Sequence, residues 1–108
     1  MTSQESWLKI VAYLKAESIE FPTVPKIKRD HVCFEASTDG EIIMIKTAKY
    51  NRPSSQLTMQ RKLSYKVFEK VYPLYLRRNK GEAVSNEALK ATVDQVYYFS
   101  LIRHCCNI

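Results

Sequence analysis

Residues 31–46 read HVCFEASTDGEIIMIK and decide the fold class. Apolar and polar side chains alternate through the first six residues, which is typical of a strand with one buried face. Asp39-Gly40 then supplies a pair that tolerates positive φ in a tight turn. A largely β-branched run follows, so the stretch predicts a β-hairpin. Because residues 42–45 are apolar on both faces, the second strand should be an inner strand with a neighbour beyond it.

A helix should precede this hairpin. Thr2 and Glu5 have the spacing of a capping box. Four apolar residues then follow at the spacing of one helix face, namely Trp7, Ile10, Val11 and Leu14. The spacing predicts a helix over 4–17. Pro22 and Pro25 each disfavour helical geometry in the preceding residue, so the next stretch is expected to be an extended connector.

A third strand and a second helix should follow the hairpin. Residues 56–61 alternate weakly and supply the expected third strand. Ser64 is a suitable N-cap for a helix in which apolar pairs recur every four residues. Pro73 removes an amide from that helix, which should therefore kink there or end near Tyr72 and restart.

A last helix should begin at Ser85. Val84 and Leu89 are placed as a hydrophobic staple across its start, and Val93 continues its apolar series. Residues 96–102 are apolar nearly all round, which is typical of a helix enclosed by the fold or shared with another subunit. The expected fold is α+β, one domain over 1–108 in the order α-β-β-(β)-α-α. An antiparallel hairpin or three-stranded sheet should pack against the helices.

Composition agrees with an ordinary globular domain. The 108 residues are 45% hydrophobic and 26% charged, and their formal net charge is +6. No apolar run approaches the roughly 20 residues that cross a bilayer, and the amino terminus lacks a signal-peptide pattern. We therefore expect no membrane association and a cytoplasmic location. The three cysteines, two of them adjacent, are expected to stay reduced.

The basic excess is concentrated in two places. A stripe on the second predicted helix carries Lys62, Lys66, Lys70 and Arg77, with Arg61, Arg78 and Lys80 at its ends. A loop after the hairpin carries Lys46, Lys49, Tyr50, Asn51 and Arg52, in which an aromatic ring lies among cations and amides. The first is either a solvated helix face or a ridge that contacts phosphates. The second is either a tolerant surface loop or one that contacts phosphates and stacks on an unpaired base.

Catalytic and metal chemistry have little support in the sequence. His31 and Cys33 share one strand face, and His104-Cys105-Cys106 lie near the carboxyl end, so the two groups could form a zinc shell if they met. Their spacing matches no zinc module, and buried cysteine is the simpler interpretation. Asp39 is explained by the turn, and no phosphate-binding glycine loop is present. We predict no catalytic residue, no metal ligand and no cofactor.

Two functional hypotheses remain, from different classes. The leading one is a non-catalytic nucleic-acid-binding or regulatory module that contacts the phosphate backbone of DNA or RNA. Its predicted binding residues are Lys46, Lys49, Tyr50, Arg52, Lys62, Lys66, Lys70, Arg77 and Arg78. The alternative is a protein-interaction subunit, an inhibitor or adaptor, that binds an acidic partner and forms a homodimer through its aromatic last helix. A small metal-dependent nuclease or toxin is the weakest alternative, because no carboxylate motif supports it.

Overall fold

The protein is α+β, with four helices and a four-stranded antiparallel sheet in the part of the chain that the structure describes. That structure is a computed structural model and describes residues 2–22, 33–48 and 60–107. The strands lie in the order β1-β2-β3-β4 across the sheet. The elements along the chain are α1 (Ser3–Leu14), β1 (Ile19–Pro22), β2 (Cys33–Thr38), β3 (Ile43–Thr47), β4 (Arg61–Leu63), α2 (Tyr65–Asn79), α3 (Ser85–Ala91) and α4 (Gln95–Cys106).

The capping box of α1 is confirmed. Thr2 Oγ1 accepts a hydrogen bond from the Glu5 amide at 3.1 Å, and Glu5 Oε1 accepts one from the Thr2 amide at 3.4 Å. All four residues of the predicted apolar face are buried in the core. The helix ends at Leu14, three residues before its predicted end.

The hairpin of β2 and β3 is confirmed, with bounds shifted by about two residues. Asp39 Oδ1 accepts hydrogen bonds from the amides of Glu41 and Ile42 at 2.9 and 3.0 Å, and Gly40 has a φ of +106°. Because the Asp39 side chain takes these two amides, the turn extends to residue 42 and β3 begins at Ile43. The first predicted residues of the hairpin, 31 and 32, lie outside the described residues.

Strand β4 supplies the predicted neighbour of β3. It pairs antiparallel with β3, so that Ile45 lies opposite Arg61 and Ile43 opposite Leu63. Of the predicted strand over 56–61, the first four residues lie outside the described part of the chain. β3 is therefore an inner strand, as its apolar run indicates.

Strand β1 corrects the predicted connector. Residues 19–22 pair antiparallel with β2, with Phe21 opposite Phe34. Pro22 ends an edge strand, which is one of the few strand positions that tolerate a residue without an amide hydrogen. The proline that disfavours a helix is therefore compatible with a strand here.

Helix α2 begins at the predicted N-cap, Ser64, and continues through Pro73 to Asn79. The predicted ending near Tyr72 is wrong. Pro73 and Glu69 are both on the exposed side of the helix. Because Pro73 has no amide hydrogen, the Glu69 carbonyl lacks its helical hydrogen-bond donor. This carbonyl lies on the exposed side of the helix, where water can donate instead.

The predicted last helix is two helices. Thr92 has extended backbone angles, φ −166° and ψ 149°, and separates α3 from α4. Leu89 is 52% exposed and Val93 is 72% exposed, so neither the predicted staple from Val84 to Leu89 nor a buried Val93 is present. The hydroxyl of Thr92 accepts a hydrogen bond from the Asp94 amide at 3.0 Å across the break.

Helix α4 is the central core element, as its apolar run predicts. It packs against α1, α2, α3 and β1. Tyr98 and Phe99 are buried, and Tyr97 packs against the same core. The chain therefore encloses its own aromatic run, which removes the reason for expecting that α4 pairs with a second copy.

Candidate nucleic-acid interface

Lys62 lies on the sheet and not on the helix. It occupies the middle of β4, two residues before the N-cap of α2, so its place in the predicted helical stripe is wrong. The strand register sets it opposite Met44, two positions from Lys46 on the same face of the sheet. Diagonal neighbours of this kind are about 7–8 Å apart. The fold thus places Lys46, from the predicted basic loop, near Lys62, from the predicted helical stripe.

This pair lies on the outer face of the sheet, which we define as the face opposite the core. Ile43, Ile45 and Leu63 alternate with the two lysines and are fully buried on the inner face. Lys46 and Lys62 are both exposed. Neither has a carboxylate oxygen within 4.0 Å among the described residues.

The outer face is divided by charge. Glu20 of β1 lies opposite Glu35 of β2, which in turn lies opposite Lys46 of β3. The half formed by β1 and β2 therefore carries two carboxylates, and the half formed by β3 and β4 carries two ammonium groups.

Lys66 and Lys70 remain together on α2. They are one helical turn apart, about 6 Å along the axis, and both are exposed. Within the described ranges, neither forms an ion pair. Pro73 continues this exposed face toward the carboxyl end of the helix.

Arg77 completes the predicted stripe but is already paired. Its Nε lies 3.2 Å from Glu82 Oε1, and its Nη1 lies 2.5 Å from Glu87 Oε2. These hydrogen bonds, the one to Glu87 foremost, raise the pKa of Arg77 above its ordinary value. Arg77 thereby connects α2 to α3, and two carboxylates neutralise its charge. Its main role in the structure is to hold these helices together.

Arg78 points toward the core side of the helix. The carbon of its guanidinium lies 5.5 Å from the centre of the Phe99 ring, in a cation–π arrangement. Arg78 is half-buried. The Phe99 ring restricts its position at the margin of the surface.

The three other predicted residues, Lys49, Tyr50 and Arg52, lie outside the described residues. The topology nevertheless shows where their segment is attached. β1 and β3 end, and β2 and β4 begin, at one edge of the sheet, which we call the loop edge. Segments 23–32 and 49–59 both connect strands there. Together they carry five cations and one carboxylate, four of the six net positive charges.

His104, Cys105 and Cys106 are held in packing roles. His104 Nε2 lies 3.2 Å from the Pro22 carbonyl oxygen, and its ring stacks on Phe21. Cys106 Sγ donates a hydrogen bond to the Ser6 carbonyl oxygen at 3.5 Å. Burial raises the pKa of Cys105 to about 12. In the described part of the chain, no three potential metal ligands come together; His31 lies outside it.

No protein-family model matches the chain, and no curated protein or solved structure matches it. None of the described helices has the length and apolar composition needed to cross a bilayer.

Proposed function

We propose that the protein is a non-catalytic module that binds the phosphate backbone of nucleic acid. The observation that carries the proposal is a set of exposed lysines on three consecutive elements, none of which has a carboxylate oxygen within 4.0 Å among the described residues. They are Lys46, Lys62, Lys66 and Lys70. An ammonium group that is paired with a carboxylate must lose that partner before it contacts phosphate. None of these four lysines has such an ion pair to lose among the described residues.

The elements that carry the lysines are fixed relative to each other. Ser64 is the single residue between β4 and α2. Its amide donates a hydrogen bond to the hydroxyl of Tyr98, which belongs to the buried helix α4. Lys62 and Lys66 therefore lie on either side of an anchored residue, at most about 14 Å apart along the chain. Such a fixed arrangement lowers the entropy lost when a partner binds.

The neighbouring charges favour a particular track for the phosphates. The carboxylate of Glu35 on β2 repels phosphate from that side of the outer face, so the backbone would cross β3 and β4. The positive segments that begin and end at the loop edge would attract the same polyanion. Backbone contacts of this kind do not distinguish sequences, and we therefore propose binding without strong sequence preference.

Two finer expectations belong to this proposal. The module would act in the cytoplasm, where its three free cysteines stay reduced. A homodimer is not part of the proposal, because the aromatic residues of α4 are enclosed by their own chain.

The test is fluorescence anisotropy with labelled duplex DNA, single-stranded DNA and RNA across a salt series. The variant K62Q/K66Q/K70Q is compared with K9Q/K15Q/K90Q, which removes the same charge from exposed lysines elsewhere. On duplex DNA the first variant should lose about 0.9 per phosphate contact from the slope of log K against log salt, roughly 2.7 in all. The second should retain the wild-type slope.

Arg77→Gln is a further control, because it removes a cation that the sequence predicts to bind but that Glu82 and Glu87 neutralise. It should leave the slope unchanged. Absence of low-salt binding to all three probes, or equal losses in both triple variants, would overturn the proposal. Displacement of the probe by polyglutamate at a matched charge concentration would favour the acidic-protein alternative.

A further inference from the structure

Side chains from two parts of the chain, the start of β4 and the start of α4, lie close together on the inner side of the loop edge. Arg61 is the first residue of β4 and lies opposite Ile45, on the face that carries the core. Asp94 precedes α4, and its Oδ1 lies 3.9 Å from Arg61 Nε. The Tyr97 phenol is close enough that the charges of both residues act on its pKa, although burial is the main cause that raises it.

The pair between Arg61 and Asp94 is loose. A separation of 3.9 Å is too long for a hydrogen bond. Nε of Arg61 is buried and has no hydrogen-bond partner in the described structure, whereas the side chain as a whole is 42% exposed. Arg77, by contrast, holds its carboxylates at 2.5 and 3.2 Å. The guanidinium donors of Arg61 are therefore not committed to Asp94 by a hydrogen bond.

We propose that Arg61 is a phosphate contact that exchanges the carboxylate of Asp94 for a backbone phosphate of nucleic acid. The inference rests on the proposed function and adds a residue to its site. A guanidinium can offer two parallel N–H donors to a phosphate, which a lysine cannot. Asp94 is then a positioning residue that holds Arg61 while no ligand is bound.

The location of Arg61 fits this role. Ile45, its partner across the strands, is the neighbour of Lys46, so the two cations flank the same end of β3 from opposite faces of the sheet. A phosphate backbone that leaves the outer face around the loop edge would pass from Lys46 to Arg61. Segment 49–59, which carries Lys49 and Arg52, connects the end of β3 after Lys46 to the start of β4 at Arg61.

The test compares Arg61→Gln and Asp94→Asn with Arg103→Gln, which removes one exposed arginine from α4. Duplex affinity is measured across a salt series. Arg61→Gln should weaken binding on the order of tenfold and lower the slope by about 0.9. Asp94→Asn should tighten binding about threefold, because the competing carboxylate is gone. Arg103→Gln should change neither value.

The Asp94→Asn result protects the test from folding artefacts, since a damaged fold does not bind more tightly. Thermal melting of each variant confirms the folded state. If the lysine variant weakens binding while Arg61→Gln matches Arg103→Gln, or if Asp94→Asn fails to tighten it, the inference is wrong and the proposed function stands.

If the wild type binds no nucleic acid, a titration with inorganic phosphate tests whether Arg61 exchanges the Asp94 carboxylate for phosphate. The Arg61 Nε–H resonance is followed by NMR during a phosphate titration. A shift that saturates at lower phosphate in Asp94→Asn than in wild type supports the exchange, although the proposed function has failed. No shift in either protein overturns both.

Discussion

The phenol oxygen of Tyr98 lies 3.1 Å from the backbone nitrogen of Ser64 and accepts a hydrogen bond from it. Ser64 is the N-cap of α2, and its hydroxyl accepts from the Val67 amide at 3.5 Å. A buried residue of α4 thus fixes the point at which the chain passes from β4 to α2. The placement of Lys62 and Lys66 depends on this contact.

Tyr98→Phe should destabilise the fold by about 1 kcal/mol, because the Ser64 amide loses its partner in a half-buried position. Urea unfolding measures the difference. Tyr13→Phe is the matched control, since the Tyr13 side chain is 50% exposed, and its effect should stay within about 0.5 kcal/mol. Equal effects of the two substitutions would contradict an anchoring role for Tyr98.

Pro73→Ala should stabilise the protein by about 2 kcal/mol. Alanine restores an amide that can bond to the Glu69 carbonyl, and proline is about 3 kcal/mol less favourable than alanine inside a helix. Alanine also gives the unfolded chain more conformational freedom than proline, which lowers this gain in stability by up to about 1 kcal/mol. Pro73 is exposed, so no core contact is lost. A destabilised variant would show that α2 needs the proline to fit against α1.

Stability should fall in alkaline solution. Burial raises the pKa of Cys105 from 9.0 to about 12, so the folded state holds a proton that the unfolded state releases. The stabilisation is fully present below pH 9 and is lost as the pH rises toward 12, at up to about 1.4 kcal/mol per pH unit. Urea unfolding between pH 7 and 10.5 follows the loss.

Cys105→Ala is the control for this pH dependence. It should flatten the decline above pH 9 without abolishing it, because burial also raises the pKa values of Cys106, Tyr97 and Tyr98. An unchanged decline would show that the Cys105 thiol does not titrate as its burial requires.

The break between α3 and α4 has its own test. Val93 is 72% exposed in the turn, whereas Ile102 is fully buried on α4. Val93→Ser should change the free energy of unfolding by less than about 0.5 kcal/mol, and Ile102→Ala should cost about 2–5 kcal/mol. A large cost at Val93 would instead indicate the single continuous helix that the apolar spacing predicts.

Local chemistry explains what the sequence predicts correctly. The capping box at Thr2, the Asp39-Gly40 turn and the N-cap at Ser64 each act within three or four residues, and all three are present. The four-residue edge strand β1 has no such signal. It exists because Phe21 pairs with Phe34 and stacks on His104, contacts that depend on distant parts of the chain.

The candidate site shows the same limit. If α2 is extended backward past Ser64 on a helical projection, Lys62 falls beside Lys66. In the structure the helix begins after its N-cap at Ser64, and strand pairing places Lys62 near Lys46. The carboxylates that neutralise Arg77 are five and ten residues away. The pair with Glu82 comes from the connection after α2 and the pair with Glu87 from the packing of α3 on α2, and single-sequence periodicity contains neither.

The pairing of α1 with α4 also bears on synthesis. Cys106 donates its hydrogen bond to Ser6 across 100 residues of sequence, and α4 touches three other helices and the edge strand. The apolar face of α1 therefore emerges from the ribosome long before the helix that covers it. Until α4 follows, the part of that face that packs on α4 stays uncovered, and a ribosome that stalls after α3 would leave a nascent chain with its core still open.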